Sequence, residues 1–485
     1  MSMKKYLVAI PLALTLTACV KNPVTGKKQF AVMSEAREVE MGTAYDPQII
    51  AEFGLYENDV LQQYINTKGK EMAAISHRPK LDYKFRIVDS PVVNAFAVPG
   101  GYVYFTRGIM AHFNNEAEFT GVLGHEIGHI TARHTAVAQR NATFVQLGLI
   151  AGMIASPELA QFAEPLSSGM GLVLMKFGRD AESQSDELGV EYSSKIGYDA
   201  HEMAKFFETL ARKSESAGAR VPEFLSTHPD PMNRKEDVAV LADEWDLKLK
   251  LDNPKVNRNE YLQMLDGLAY GEDPRQGFVE NSTFYHPGLK FQFPIPAGWA
   301  YQNSPQQFLM APSDGKAMMF LTLAQGTSLT EAGNALVSQY KLTVTSSNDV
   351  NVNGNKALDI IGHQVSAEPQ GTIPAGTPTV AVKLTLISFG GVIYQMLGAT
   401  SKADFAKYQP LFDSAIKNFK ELKDAEKLNR LPERLSIYTV TQTNTLQNIL
   451  NQKGIPAGRH EEWAIVNGMK VNESVPAGTL IKVLK

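Results

Sequence analysis

His125-Glu126-Ile127-Gly128-His129 is the stretch that decides how this chain is read. It sits where a helix is expected. Asn114 and Asn115 are good N-caps, Glu116 and Glu118 fall in the first turn, and Ala117, Val122 and Leu123 supply apolar positions. Two histidines four residues apart share one helix face, one turn apart. Their imidazoles can converge on a single Zn²⁺, and Glu126 is then placed to act as general base on a water activated by the metal.

A catalytic zinc site needs a third protein ligand and an open fourth position. Downstream runs Gly178-Arg179-Asp180-Ala181-Glu182-Ser183-Gln184-Ser185-Asp186-Glu187-Leu188-Gly189, where Glu182 and Asp186 are also one helical turn apart. Glu182 is the candidate third ligand. Asp186 is the candidate partner that holds a ligating histidine by hydrogen bond. Glu187 and Glu191 compete by residue type but fall on other faces or further along.

The set resembles a known family. His125-Glu126-Ile127-Gly128-His129 is followed by Arg133-His134, Glu182 is followed by Asp186, and upstream stands Asn94-Ala95-Phe96-Ala97-Val98-Pro99-Gly100-Gly101. These residues are similar to the gluzincin metalloproteases that include the CAAX prenyl proteases, HtpX and the soluble periplasmic BepA-type proteases. Asn22-Pro23-Val24-Thr25-Gly26-Lys27-Lys28-Gln29 resembles the start of the mature periplasmic members. The resemblance covers roughly residues 20 to 275. Ser185 departs from it, standing where the family usually has Ala. The resemblance implies one Zn²⁺ per chain on His125, His129 and Glu182. It implies that an edge strand beside the zinc pairs with extended substrate, with Tyr102–Phe105 as the candidate strand. Leu225-Ser226-Thr227-His228-Pro229-Asp230-Pro231 resembles the Thr-His-Pro segment of periplasmic members. His228 then has two readings: a donor to the transition-state oxyanion, or a fourth metal ligand that plugs the site. The plug is favoured, because a protease facing unfolded chains needs restraint.

The N-terminus points to a compartment. Lys4 and Lys5 form a short positive region, and the apolar run Tyr6–Thr17 is too short for a good permanent span. Leu16-Thr17-Ala18-Cys19 resembles a bacterial lipobox, and Cys19 is the one cysteine in the chain. Residues 1–18 read as a lipoprotein signal peptide and Cys19 as a lipid attachment point. No Asp follows Cys19, which by analogy with lipoprotein sorting favours the outer membrane on the periplasmic side.

A net charge of -4 and the lack of a basic tract exclude a nucleic-acid partner. Phe144–Ile154 is apolar but only about half the ~20 residues a membrane span needs, and reads as a buried or covering helix. The chain reads as an α+β multidomain protein. Residues 19–275 form a mainly helical protease domain with a small sheet, including helices over Glu35–Gly42, Asp59–Ser76 and His201–Ser214. Residues 280–422 form an α/β strand-rich accessory domain, with a hairpin at Gly390-Gly391 and a helix over Ala403–Leu422. His286 and His363 read as incidental, and the layout loosely resembles PsbP-like proteins.

Residues 433–485 resemble a small LysM module of βααβ form. Tyr438-Thr439-Val440 opens it and Pro476–Val483 closes it, but Thr443-Asn444 stands where a Gly-Asp is usual. Peptidoglycan binding and a purely structural role both stay open.

These readings predict a zinc-dependent endopeptidase of the cell envelope that degrades or processes misfolded or stalled envelope proteins. The alternatives are a protease-like chaperone or assembly factor with low turnover, and a peptidoglycan-associated peptidase cutting crosslinks. Intact Glu126 argues against the chaperone, a wall anchor leaves the metal residues unexplained, and a prenyl-protein protease lacks its transmembrane bundle.

Overall fold

The described part of the chain begins with a short hairpin, β1 (Cys19–Lys21) and β2 (Lys28–Phe30), followed by α1 (Glu35–Phe53) and α2 (Asp59–Ala74). The computed structural model describes residues 19–26, 28–30, 33–135, 159, 177–216, 224, 227–229, 231–365 and 378–485. The signal segment 1–18, the Phe144–Ile154 stretch, and Leu225, Ser226 and Asp230 lie outside them. The side chains of Ser34 and Asn58 cap α1 and α2 by accepting from Arg37 N and Leu61 N. Helix α1 runs past the expected end at Gly42 and through Pro47. Ile49 and Glu52 are buried beyond it, so packing outweighs the one N–H that Pro47 lacks.

A three-stranded sheet follows, formed by β3 (Lys84–Val88), β4 (Ala95–Val98) and β5 (Tyr102–Thr106) in the order β3-β5-β4. This corrects one expectation. Tyr102–Phe105 lies in the central strand, parallel to β3 on one side and antiparallel to β4 on the other. The Pro99-Gly100-Gly101 turn folds β4 back as a hairpin partner, so β4 takes the edge. Gly100 and Gly101 have φ of 84° and 97°, which L side chains rarely adopt.

The helical part continues with α3 (Arg107–His112), α4 (Glu116–Thr131), α5 (Arg179–Lys195), α6 (His201–Ser216), α7 (Pro231–Leu249) and α8 (Arg258–Met264). Every residue of α4 is buried. The strand β6 (Ala269–Tyr270) ends this part.

Next come β7 (Phe278–Glu280), β8 (Thr283–His286), β9 (Phe291–Pro294), β10 (Trp299–Asn303), β11 (Gln307–Pro312), β12 (Ala317–Leu323), α9 (Leu329–Gln339), β13 (Thr343–Val352), β14 (Asn355–Val365), β15 (Pro378–Phe389), β16 (Val392–Ser401), α10 (Phe405–Lys417), β17 (Lys420–Glu421) and α11 (Ala425–Leu428). Strands β10 to β16 make a seven-stranded antiparallel sheet, ordered β10-β11-β12-β16-β15-β14-β13. Alternate residues of β12 face opposite ways. Met318 and Phe320 pack with Leu336 of α9, while Met319 and Leu321 pack with Phe412 of α10. The β15–β16 turn is the expected two-residue hairpin, with positive φ at both Gly390 and Gly391. Helix α10 is shorter than expected, because Lys420-Glu421 leave it to pair with β9.

The chain ends with β18 (Glu433–Thr439), β19 (Asn444–Thr445), α12 (Leu446–Gln452), α13 (His460–Val466), β20 (Ser474–Val475) and β21 (Leu480–Leu484). Strand β18 pairs antiparallel with β21 and also with β6. Its core is continuous with that of the helical part: Trp463, Val466 and Ile481 join the same buried cluster as Phe113, Phe206 and Tyr270.

Candidate metal centre

Helix α4 positions the site. Asn115 caps it by accepting from Glu118 N at 2.8 Å, and the Glu118 carboxylate reaches back to Asn114 N at 2.7 Å. Helix α5 crosses it closely at Gly124 and Gly189. A Cβ on Gly124 would lie 2.9 Å from the Gly189 Cα and carbonyl oxygen, nearer than any side chain permits. This approach brings Glu182 and Asp186 of α5 up to His125 and His129 of α4.

Asp186 Oδ1 accepts from His125 Nδ1 at 2.9 Å, which fixes the tautomer and leaves His125 Nε2 bare. Across the site, His134 Nε2 donates to Gln184 Oε1 at 2.9 Å, so its Nδ1 is an acceptor. His129 Nδ1 lies 3.1 Å from that atom, and Ser185 Oγ lies 3.2 Å from it. His129 therefore donates through Nδ1 and presents a bare Nε2. Burial and the neighbouring imidazoles push the His129 pKa well below its ordinary value, which keeps the ring neutral.

The two bare nitrogens are 3.0 Å apart. Glu182 oxygens lie 3.5 Å from His129 Nε2 and 3.7 Å from His125 Nε2. Nδ1 of His228 lies 3.2 Å from His125 Nε2 and 3.1 Å from both Glu182 oxygens. Ligands of a tetrahedral Zn²⁺ sit about 3.3 Å apart, given bond lengths of about 2.0–2.1 Å. The two bare imidazole nitrogens repel at 3.0 Å unless a cation lies between them, and His228 Nδ1 can serve Glu182 as a hydrogen-bond donor or a metal as a ligand, so the four side chains fit zinc. All four are buried.

Glu126 is buried on the same helix, and neither of its oxygens has a hydrogen-bond partner among the described residues. Burial raises its pKa, and the charges of His228 and His125 oppose that. His228 Nε2 stands 3.7 Å from Glu126 Oε1. Phe224 stacks on His228 with centroids 4.5 Å apart, and Phe177 on His129 at 4.1 Å. These rings keep water from the ligands. The structure thus brings together every residue expected at the site: His125, Glu126, His129, Glu182, Asp186 and His228.

Arg234 was not legible in the sequence. It lies in the first turn of α7, is buried, and grips Asp186 with two bonds, Nε to Oδ2 at 2.7 Å and Nη2 to Oδ1 at 2.6 Å. Its Nη1 lies 2.9 Å from Glu182 Oε2. Burial alone would raise the Asp186 pKa, but Arg234 and the His125 bond outweigh it and hold the carboxyl below its ordinary value. The one available signal was indirect: two carboxylates sharing one buried helix face need a cation nearby. His134 was quoted for the resemblance alone, and its link to His129 was also missed.

An HExxH helix crossed by a helix that carries a candidate glutamate ligand is the arrangement found in gluzincin-type metallopeptidases. Residues 59–241 match the model of Peptidase family M48. The chain is 30% identical to the "Beta-barrel assembly-enhancing protease" of Yersinia pestis, over 50% of this chain and 50% of that protein. It is 29% identical to the "Mitochondrial metalloendopeptidase OMA1" of Arabidopsis thaliana, over 44% and 41% respectively. The chain spans about half the length of the curated relatives it matches. The solution structure of cyanobacterial PsbP from Synechocystis matches 30% of this chain and 96% of its own at 10% identity, with a TM-score of 0.23, too low to carry an argument.

Proposed function

We propose that this chain is a zinc-dependent endopeptidase of the bacterial cell envelope that cleaves misfolded or stalled envelope proteins. The observation that carries the reading is the convergence of His125, His129, Glu182 and His228 beside an unpartnered Glu126. His125, His129 and Glu182 would hold Zn²⁺, which when bound supplies Lewis acidity to the scissile carbonyl and to the attacking water. Glu126 takes the proton of that water and passes it to the leaving amine. Asp186 and His134 orient the two imidazoles, and Arg234 holds Asp186. Strand β4 packs against α4 and, at the sheet edge among the described residues, offers its backbone to an extended substrate.

His228 supports a plug. Its Nδ1 is one of the four converging side-chain atoms that could hold a metal, which supports a plug at the position a catalytic site keeps open. Its loop is pinned where Phe224 N donates to Val93 O just before β4. Activity requires His228 to withdraw.

The names of the relatives in Yersinia pestis and Escherichia support envelope proteins as substrates. The Leu16-Thr17-Ala18-Cys19 sequence supports lipid anchoring at the outer membrane; Cys19→Ala should release the protein from membranes on fractionation. Residues 433–485 run β18-β19-α12-α13-β20-β21, with two helices between paired strands as in a LysM-like module, but Trp463 and Lys482 are spent on the shared core, which favours a structural brace over a glycan binder. Digestion of unfolded outer-membrane protein with and without chelator, alongside metal analysis, tests the reading. Cleavage that persists after complete zinc removal rejects it.

A further inference from the structure

We infer that a cavity between the protease body and the 433–485 block is a binding site for a small oxyanion, carried as a phosphate or carboxylate group. The cavity has a volume of about 180 Å³, far above the ~10–15 Å³ that admits one water. Arg107, His112, Lys213, Tyr270 and Glu462 line it, so α3, α6, β6 and α13 all contribute.

The charges of the lining do not balance. Arg107 is held rigidly by Asp89 and by the carbonyls of Ala269 and Gly271. Lys213 reaches the cavity with no carboxylate at ion-pair distance among the described residues. Its nearest acid, Glu462, is already taken: Arg459 binds both of its oxygens, at 2.8 and 3.0 Å, and the Tyr270 hydroxyl donates to it at 2.9 Å. Burial pushes the Lys213 ammonium below its ordinary pKa, and Glu462 only partly opposes this.

His112 is the second observation. It is 2% exposed, and its Nδ1 donates to the Gly108 carbonyl at 2.7 Å. Its Nε2 is buried and has no hydrogen-bond partner among the described residues, an unfavourable state for a polar atom shut away from water. Burial, and then the charges of Lys213 and Lys482, keep the ring neutral. A bound oxyanion reverses that field. Nε2 then takes a proton from solvent and donates it to the anion, while Lys213 gains the counter-charge it lacks. A neutral ligand leaves Lys213 unpaired, and a cation meets the two positive side chains of Arg107 and Lys213.

The test uses the full zinc-loaded chain. Its melting temperature is followed against sodium phosphate and sodium acetate, with sodium chloride at matched ionic strength and pH as reference. The expected result is a saturable rise beyond chloride, with Kd weakened at least tenfold by Lys213→Met and unchanged by Lys356→Met, an exposed control of equal charge. The ¹⁵N spectrum of labelled histidine should show His112 Nε2 gaining a proton as the anion binds. A response to phosphate alone assigns a phosphate group, and a response to acetate as well assigns a carboxylate. No rise beyond chloride, or equal rises in the parent and Lys213→Met, overturns the proposal.

Discussion

Arg234 holds Asp186 through two parallel bonds, Nε to Oδ2 at 2.7 Å and Nη2 to Oδ1 at 2.6 Å, and Asp186 in turn holds the His125 imidazole at 2.9 Å. The metal centre is thus supported from a helix that contributes no ligand. Arg234→Met leaves two buried carboxylates without their cation. Stability should fall by about 3–5 kcal/mol, as when one partner of a buried pair is removed, and zinc affinity by about 10–100-fold. Arg234→Lys should recover only part of either, because an ammonium cannot make the two-pronged contact. Urea unfolding and chelator competition measure both. Parent-like zinc affinity in Arg234→Met would show that Asp186 holds His125 unaided.

His134 plays the matching part for His129. His134→Phe removes the acceptor that fixes the His129 ring and should weaken zinc binding by about 10–100-fold. Ser185→Ala should cost less, since Gln184 still orients His134. The same chelator competition decides it; equal affinities in the parent and His134→Phe would leave His129 oriented by packing alone.

Gly124 sets the separation of α4 and α5. In Gly124→Ala the new methyl meets Gly189 backbone at 2.9 Å, and backbone cannot swing aside. The expected loss is about 1–3 kcal/mol, with weakened zinc binding as Glu182 and Asp186 retreat. Unchanged stability by urea unfolding would mean the helices tolerate a wider crossing.

These sites were legible to unequal degrees. His125, His129, Glu182 and Asp186 repeat at the helical period within single elements, so spacing alone pairs them. Arg234 meets Asp186 only through the packing of α7 on α5, which no local period encodes. Strand order failed for a similar reason: the Pro99-Gly100-Gly101 turn announces a hairpin, but which strand takes the edge depends on where β3 docks, and β3 docks on β5. The hairpin at Gly390-Gly391 was readable because both turn residues need positive φ. No sequence pattern marks Lys482 within its strand. It is buried, donating to the carbonyls of Ala111 and Phe113 at 2.9 Å each.

Glu52 joins α1 to the 280–422 block and carries a pH dependence. Burial raises its pKa from 4.5 to about 7, partly offset by the Ser304 hydroxyl. A raised carboxyl favours folding below its unfolded pKa, and that contribution is lost as pH rises through about 7. Glu52→Gln should therefore gain stability over the parent at pH 8, on the order of 2 kcal/mol, and little at pH 4. Paired urea melts at the two pH values check this. An equal difference at both would show that Glu52 ionises in the folded state as it does in the unfolded one.

The plug reading predicts that His228→Ala cleaves unfolded protein faster than the parent while keeping zinc on three ligands. A loss of kcat on the order of 10²-fold would point to oxyanion stabilisation instead. Initial rates on unfolded outer-membrane protein separate the two.

The central claim is that Glu126 is the base of a zinc peptidase. Its most direct test compares the parent with Glu126→Gln on an unfolded protein substrate, with zinc measured in both. The account predicts about one zinc per chain in each, and a rate in the variant lowered by about 10²–10⁴-fold. Parent-like cleavage by zinc-loaded Glu126→Gln would contradict it.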